Sequence, residues 1–579
     1  MVRSHERKLT SPSDPFELEA HANLPEWLAA LGVSLGTALL VVSPFFRLGT
    51  ASGHDIAFHA SSWLDVAGQW KEGIVYPRWC EWANNGFGEP RFIFYPPLSW
   101  MLGAALGFIA PWKAVPGVFI VLAQTLAGMS MFALARGFFA ARAATFAAAC
   151  YAANPYALLV VYMRSDFAEQ LACALLPALV LAALQLSGLT ANRWQSVSRV
   201  TAIFAMLFAG MWLSNAPAGV TASYSIALLF ACAAIAEKSL RPLWRGAGGL
   251  ALGFGLAGFY LLPAAYEQRW VNIDQALSSG LQPAENFLYT NIADPEHNLF
   301  NRIASSIAVL LMVMTAIAAL LAKRNEENPE DRSARALWLA MLLLSGAAAV
   351  LMIRPSMLLW ELLPKLRFVQ FPWRWMGILA VPYACFAAAV ARRRKAWIWP
   401  TVVILASAGT ATFLVRKAWW DTDDIPALQD AIANGKGFDG TDEYDPVRDD
   451  HTNLPAKAEP LQILLADGAE ATAPKTDIRI VRWTAEEKEL SVTSSRPLRL
   501  AIRLLDYAAW HVEVNGKAVT PESPETTAQM ILPLPAETER IRIRFVDTPD
   551  RVWGEMVSGG AGVAFLALLL FRRKAARTQ

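Results

Sequence analysis

Runs of about twenty predominantly apolar residues, enough to cross about 30 Å of hydrocarbon as a helix, recur along this 579-residue chain. They lie at 27–46, 115–135, 143–162, 169–187, 198–214, 218–236, 246–264, 303–322, 336–353, 375–391, 397–415 and 552–571. The pattern predicts a mainly α, polytopic membrane protein with about twelve transmembrane helices. One further apolar stretch, 98–110, is too short to span and is bounded by Pro96-Pro97 and Pro111. It reads as an interfacial or re-entrant helix.

Lys and Arg in short loops mark the cytoplasmic side. With residues 1–26 as a cytoplasmic tail, the inner loops carry Arg136 and Arg142, Arg193 and Arg199, then Lys238, Arg241 and Arg245. They continue with Lys323, Arg324, Arg332 and Arg335, with Arg392, Arg393, Arg394 and Lys395, and with Arg572, Arg573 and Lys574 after the last span. The agreement requires that 98–110 does not span, because otherwise Arg136 and Arg142 would face outward. No small-residue cleavage site follows the first run, so that span is expected to be retained. The outer face then receives loops 47–114, 163–170, 265–302 and 354–374, together with residues 416–551 between the last two spans.

Those last residues change period. The segment 421–450 is acidic and contains Gly and Pro, as solvated linkers do. After it, IRIVRW from Ile478, KELSVTS from Lys488, LRLAIRLL from Leu498, WHVEVNGKAV from Trp510 and RIRIRFVD from Arg540 alternate apolar with polar side chains. Alternation makes one face dry and the other wet, and Asn515-Gly516 is a hairpin signal. An extracytoplasmic linker followed by an antiparallel β-sandwich is expected over 416–551, packing over the membrane domain, with sugar or acceptor binding as its alternative role, and residues 552–579 form the last span and a basic tail.

Composition agrees: 55% of residues are hydrophobic and 17% charged, as befits a membrane protein. A net charge of +2, from 51 basic against 49 acidic side chains, gives no field for nucleic acid. Of the cysteines Cys80, Cys150, Cys173, Cys232 and Cys385, four sit in apolar runs, and no metal or disulfide spacing appears.

Candidate chemistry concentrates in the outer loops. The stretch 53–98 opens GHDIAFH and closes GFGEPRFIFYPPL. A helix from Ile56 would put Asp55 and His59 on one face, where Asp55 can take a proton from an attacking hydroxyl or, with His59, hold a divalent cation. In MRSDFAEQ, Asp166 and Glu169 lie three apart and can share a metal ion, beside Arg164. In KLRFVQFPWRWMG, Arg367 and Arg374 can grip a lipid phosphate, or else anchor with Trp373 and Trp375 at the interface. The 265–302 loop is a candidate lid in which no residue stands out.

The order of these parts resembles the GT-C superfamily of multi-pass glycosyltransferases that use polyprenyl-phosphate-linked sugars. The resemblance rests on a retained first span, a long outer loop with an early Asp, Tyr95-Pro96-Pro97-Leu98 leading an interfacial helix, and an acidic pair in the next outer loop. It implies Asp55 as the residue acting on the acceptor or binding metal, and Asp166 and Glu169 as the pair assisting a Mg or Mn ion. Two departures stand out: Ile56 follows the first Asp where many relatives have Glu, preceded here by His54, and Tyr95 replaces a Lys before the Pro-Pro pair. Arg374 or Arg91 would then supply the phosphate contact, and Arg367, Arg164, Tyr95 and His54 are further candidates for binding the substrate or its lipid phosphate.

The expected activity is therefore sugar transfer, of hexosyltransferase type, from a polyprenyl-phosphate donor to a glycan, lipid or protein acceptor at the outer face of the plasma membrane. A flippase of lipid-linked sugars or a non-catalytic cell-envelope assembly protein are the alternatives. Transporters place ionisable groups near the midplane on broken helices, often in inverted repeats, whereas these groups lie at span ends and no repeat is evident.

Overall fold

The computed structural model describes residues 23–190, 196–323, 332–391, 398–447, 454, 458–464, 476–524 and 526–570. Most of the N-terminal tail, the basic cluster 392–395, Arg193, Arg324, the C-terminal Arg572, Arg573 and Lys574, and residues 448–450 lie outside the described residues. Among those described, ten helices are long and apolar enough to cross a membrane, or twelve if each of two bent pairs counts as one span. The bent pairs are Arg241–Leu256 with Gly258–Trp270, at 76°, and Arg335–Leu351 with Arg354–Leu362, at 92°. These are the expected spans 246–264 and 336–353, and the other ten expected runs each fall on one of the ten.

The helix Phe167–Ser187 is buried along nearly its whole length and packs against Val115–Ala135 and Val197–Ser214. Asp166 caps it by accepting from Glu169 N at 2.8 Å, and Gly188 ends it with φ 85°. Pro177 inside it cannot donate to the carbonyl of Cys173, four residues earlier. The Tyr151 hydroxyl takes that acceptor instead, donating to Cys173 O at 2.7 Å. Positions that would face lipid, such as Ile404, Leu405, Val563 and Leu566, are exposed.

The Pro-Pro helix runs only Pro97–Gly107, about 16 Å at 1.5 Å per residue, too short to span.

At one end of the bundle the non-spanning segments meet. Strand β1 (Thr50–Ala51) pairs antiparallel with β2 (Trp420–Asp421), which tethers the first loop to the residues after the helix Ile398–Lys417. The C-terminal strands are β3 (Leu461–Leu464), β4 (Thr476–Trp483), β5 (Glu487–Ser494), β6 (Leu498–Leu505), β7 (Trp510–Val514), β8 (Lys517–Ala518), β9 (Gln529–Leu534) and β10 (Thr538–Phe545). They form antiparallel sheets in the orders β4-β5-β10-β7-β8 and β3-β6-β9. Leu490, Val492, Ile541 and Ile543 of the first sheet share a core with Leu500, Ile502 and Leu532 of the second. The Asn515-Gly516 turn falls where expected, both residues at positive φ. Strands β3 and β9 lie outside the alternating runs, and β9 contains Pro533, a residue that disfavours a strand.

This unit is joined to the rest through buried contacts. Trp79 of the first loop packs on Trp510 and Phe545, with ring centroids 5.3 and 5.7 Å apart. Glu267, fully buried, accepts from Arg551 Nε at 2.7 Å, Arg551 Nη2 at 2.8 Å and the Tyr507 hydroxyl at 2.6 Å. The 265–302 loop therefore does contain a singular residue, and its role is to hold the β unit and the last helix together.

The acidic segment after Asp421 is not a solvated linker. Asp424–Ala433 is a helix packed on the first loop, and Asp445 is completely buried, accepting from Asn84 Nδ2 at 2.6 Å. Thr441 N donates to Glu89 Oε2 at 2.8 Å, Asn85 N to Phe438 O at 3.0 Å, and Phe438 N to Trp82 O at 2.9 Å. The segment found its partners in the first loop, a pairing that composition alone does not reveal.

Candidate functional site

The candidate site forms where two loop turns are laid on one another. The span Ala141–Arg164 finishes in a π-helical turn, Val160–Arg164, after which Ser165 takes the left-handed conformation, φ 55°. Single π turns of this kind recur at functional sites. The turned-out backbone meets the first loop: His54 N donates to Met163 O at 3.3 Å, Asp55 N to Arg164 O at 2.8 Å, and Gly53 N to Ser165 Oγ at 3.0 Å. Ser165 Oγ in turn donates to Ala51 O at 2.7 Å. Only glycine fits at position 53, since a Cβ there would lie 2.5 Å from the carbonyl carbon of Arg164.

The helix Ile56–Lys71 begins directly after Asp55, and His59 N donates to Asp55 O at 3.1 Å. Asp55, His59, Arg164, Asp166, Glu169 and Arg374 all converge at this junction. Arg164 is its centre, with Nη2 at 2.6 Å from Asp55 Oδ2 and 3.1 Å from Asp166 Oδ2, and Nη1 at 3.2 Å from Glu169 Oε2. Its guanidinium also lies over the rings of Trp373 and Phe371, at 5.1 and 5.6 Å. Arg374 approaches the same pair, Nη2 at 3.6 Å from Asp166 Oδ2 and Nε at 3.4 Å from Glu169 Oε2, and donates to Val369 O at 3.0 Å. His59 Nε2 lies 3.6 Å from Asp166 Oδ1.

Exposure separates the three carboxylates. The side chain of Asp55 is 33% exposed, whereas those of Asp166 and Glu169 are 3% and 4% exposed. Burial alone would raise the Asp166 carboxyl, but His59 and the guanidiniums of Arg164 and Arg374 outweigh it and hold the group well below the usual carboxylate range. Asp166 is thus a fixed anion. Of the three, Asp55 is the carboxylate open to solvent.

The remaining sequence-predicted residues divide. Tyr95 sits against Phe58 and His59, with ring centroids 4.6 and 5.8 Å away. Burial, with Asp166 and Asp55 adding their charge, pushes its hydroxyl well above the usual phenol range, so it stays neutral. His54 lies at the open side, against Phe300 at 4.7 Å. Arg91 stands apart: it is buried, bonded to Glu89 at 2.5 Å and to Ser61 and Ser62 at 3.0 and 3.1 Å, and it fastens the first loop internally. Arg367 is exposed over Phe368 at 5.1 Å, outside the carboxylate cluster. Trp373, Trp375 and Arg374 are all buried, so FPWRW is a wall of the site and not a snorkelling interfacial anchor. Three contributors were missed from sequence: Tyr156, whose hydroxyl donates to Glu169, and the Phe371 and Ser165 contacts. Tyr156 carried no signal, lying mid-run among apolar residues.

The four residues proposed as metal ligands do come together, but the guanidinium of Arg164 lies among their carboxylates. Among the described residues no group of three or more His, Cys, Asp or Glu is placed to hold a metal ion. The donor set does not fit a divalent cation.

The chain is similar to several solved structures. The arabinofuranosyltransferase AftD from Mycobacteria shares 17% identity over 70% of this chain and 27% of that one, with a TM-score of 0.44. An oligosaccharyltransferase from Archaeoglobus fulgidus, tethered to an acceptor peptide, shares 14% identity over 69% of this chain and 55% of that one, with a TM-score of 0.41. The oligosaccharyltransferase AglB from the same organism, in complex with an inhibitory peptide and a dolichol-phosphate, gives 12% identity, 72% and 56% coverage, and a TM-score of 0.40. This chain thus spans about a quarter of the first protein and just over half of the others. No curated protein matches the sequence. A model of one protein family, described as a 6-pyruvoyl-tetrahydropterin synthase related domain and a membrane protein, matches residues 92–417, which hold Arg164, Asp166, Glu169 and Arg374 but not Asp55 or His59. Since that match covers more than half of the chain, the protein belongs to the family of membrane proteins described as the 6-pyruvoyl-tetrahydropterin synthase related domain.

Proposed function

We propose that this protein is a GT-C-type membrane glycosyltransferase that moves a sugar from a polyprenyl-phosphate-linked donor to an acceptor hydroxyl or amide at the outer face of the plasma membrane. The observation that carries the reading is the contrast within one carboxylate cluster. Asp166 and Glu169 are buried and ion-paired, while Asp55, joined to them through Arg164, is one-third open. One reachable carboxylate held in a fixed orientation is what general-base work on an acceptor needs.

In the proposed step the acceptor oxygen or nitrogen bonds to the anomeric carbon as the bond from that carbon to the phosphate oxygen breaks. The acceptor proton goes to Asp55, and the electron pair of the broken bond remains on the lipid phosphate. That growing charge calls for a cation. Arg374 is already engaged with Asp166 and Glu169. Arg367 is exposed three residues before Gln370, whose side chain contacts Arg374 at 3.3 Å, and is the cation we assign to the phosphate.

A mostly apolar cavity of ≈ 560 Å³ lined by Val42, Phe45, Ile56, Val118 and Val121, with Lys113, Asp421 and Asp424 also on its wall, supports a substrate with a lipid chain. Ile56 is the residue next to Asp55, so the cavity wall and the reactive carboxylate are adjacent in the chain.

The test is transfer of radiolabelled sugar from a polyprenyl-phosphate donor by the purified full-length protein in detergent. Asp55→Asn is expected to lower the rate by about 10²–10⁴ with unchanged expression and melting. A fully active Asp55→Asn protein would reject the assignment.

A further inference from the structure

We propose that Arg164 is the built-in cation of this site, occupying among Asp55, Asp166 and Glu169 the place a divalent metal ion would take, so that the protein binds no metal there. The catalytic meaning rests on the glycosyl-transfer reading; the ion-binding claim does not.

Both terminal nitrogens of the guanidinium are used. Nη2 bridges Asp55 Oδ2 and Asp166 Oδ2 at 2.6 and 3.1 Å, and Nη1 reaches Glu169 Oε2 at 3.2 Å. A planar fork that touches one oxygen of each of three carboxylates does geometrically what a coordinated cation does, at slightly longer range. The side chain is 4% exposed and backed by Trp373 and Phe371, so little room remains for it to swing away.

The other oxygens of Asp166 and Glu169 are engaged as well. Asp166 Oδ1 accepts from Glu169 N at 2.8 Å, and Glu169 Oε1 accepts from the Tyr156 hydroxyl. Arg374 supplies a second positive charge to Asp166 and Glu169 at 3.6 and 3.4 Å. A dication entering here would replace existing hydrogen bonds and meet two guanidiniums at close quarters, where like charges repel strongly in a desolvated site.

Arg164 would differ from a metal ion in one chemical respect. A metal with an open coordination position can polarise a phosphate oxygen as a Lewis acid. A guanidinium has no such coordination position, and three of the N–H groups of Arg164 already go to carboxylates. Arg164 is therefore a positioning residue: it orients Asp55 and leaves the phosphate to other cations.

Mn²⁺ titration followed by electron paramagnetic resonance tests this directly on the full-length protein in detergent. The wild type is expected to bind no stoichiometric Mn²⁺ that depends on Asp55 or Asp166, and transfer is expected to be unchanged by EDTA. Arg164→Ala, checked for a cooperative melt, vacates the position and is expected to gain an Mn²⁺ that is lost again on adding Asp166→Asn. Should Arg164→Ala fail to fold, the wild-type titration decides alone. An Mn²⁺ bound to the wild type and abolished by Asp55→Asn or Asp166→Asn would overturn the proposal, as would EDTA inactivation reversed by Mn²⁺ or Mg²⁺. A protein with neither transfer activity nor Mn²⁺ binding would sink the glycosyl-transfer reading and leave this one standing.

Discussion

Asp55 and Arg164 hold each other twice: the Asp55 backbone N–H donates to the Arg164 carbonyl at 2.8 Å, and the Arg164 guanidinium returns to the Asp55 carboxylate at 2.6 Å. The two residues are 109 apart in sequence. The backbone bond fixes where the first loop lies on the second, and the side-chain bond then fixes where the Asp55 carboxylate points. Loss of the first should disturb the second.

Gly53 is the place to break the clasp without touching a charge. A Cβ at this position would come within 2.5 Å of Arg164 C and 2.7 Å of Met163 C and O, all backbone atoms that cannot rotate aside. Gly53→Ala must therefore push the first loop off the turn at 163–165, at an overpacking cost of about 1–3 kcal/mol. The expected result is a lower melting temperature and loss of transfer with Asp55 still present. A variant that melts and turns over like the wild type would show that the clasp does not position Asp55.

Arg367 offers the opposite kind of test, an exposed residue outside the carboxylate cluster. If its guanidinium meets the donor phosphate, Arg367→Ala removes a charge-assisted contact worth about 1.5–3 kcal/mol. Donor KM should rise by about tenfold or more, since each 1.4 kcal/mol is a factor of about ten, while the melt stays put. Steady-state kinetics with donor varied at saturating acceptor measure this, and an unchanged KM transfers the phosphate role elsewhere on the 354–374 loop.

The spans were legible because length and hydropathy suffice for a helix in lipid, where backbone groups must be satisfied internally. The bends at Ala257 and after Leu351 were not, since periodicity carries no direction. At the site, Arg164, Asp166 and Glu169 are legible as costly polar residues at span ends, Asp55 and His59 as one face of an expected helix, and Arg374 as a cation of an outer loop. What sequence could not supply was the pairing. Arg164 read as a cation free for phosphate, and only the fold shows it enclosed by three carboxylates. Arg91 misled for the same reason, its partner Glu89 lying two residues away inside a loop that looked open. The acidic stretch after Asp421 reads as solvated by charge count, yet Asp445 is among the most buried residues of the chain.

A pH experiment probes the loop that carries the site. Asp65 lies in the helix Ile56–Lys71, completely buried, and accepts from Trp82 N at 2.9 Å and Gln69 Nε2 at 2.5 Å. Burial pushes its carboxyl up to about 7, against the pull of those hydrogen bonds. Here the folded-state value lies above the unfolded one, near about 3.9. Between those values the native protein holds a proton that the unfolded chain has released, so stability falls as pH rises through the window and levels off above about 7. The full displacement corresponds to at most about 4 kcal/mol. Asp65→Asn cannot titrate. Its hydrogen-bond penalty is constant with pH, so the melting temperature of the variant minus that of the wild type should climb from about pH 5 to about pH 7.5 and then flatten, in detergent at fixed ionic strength. Parallel melting curves across that range would mean that Asp65 is ionised throughout, and that the turn at 79–82 is held by a buried anion.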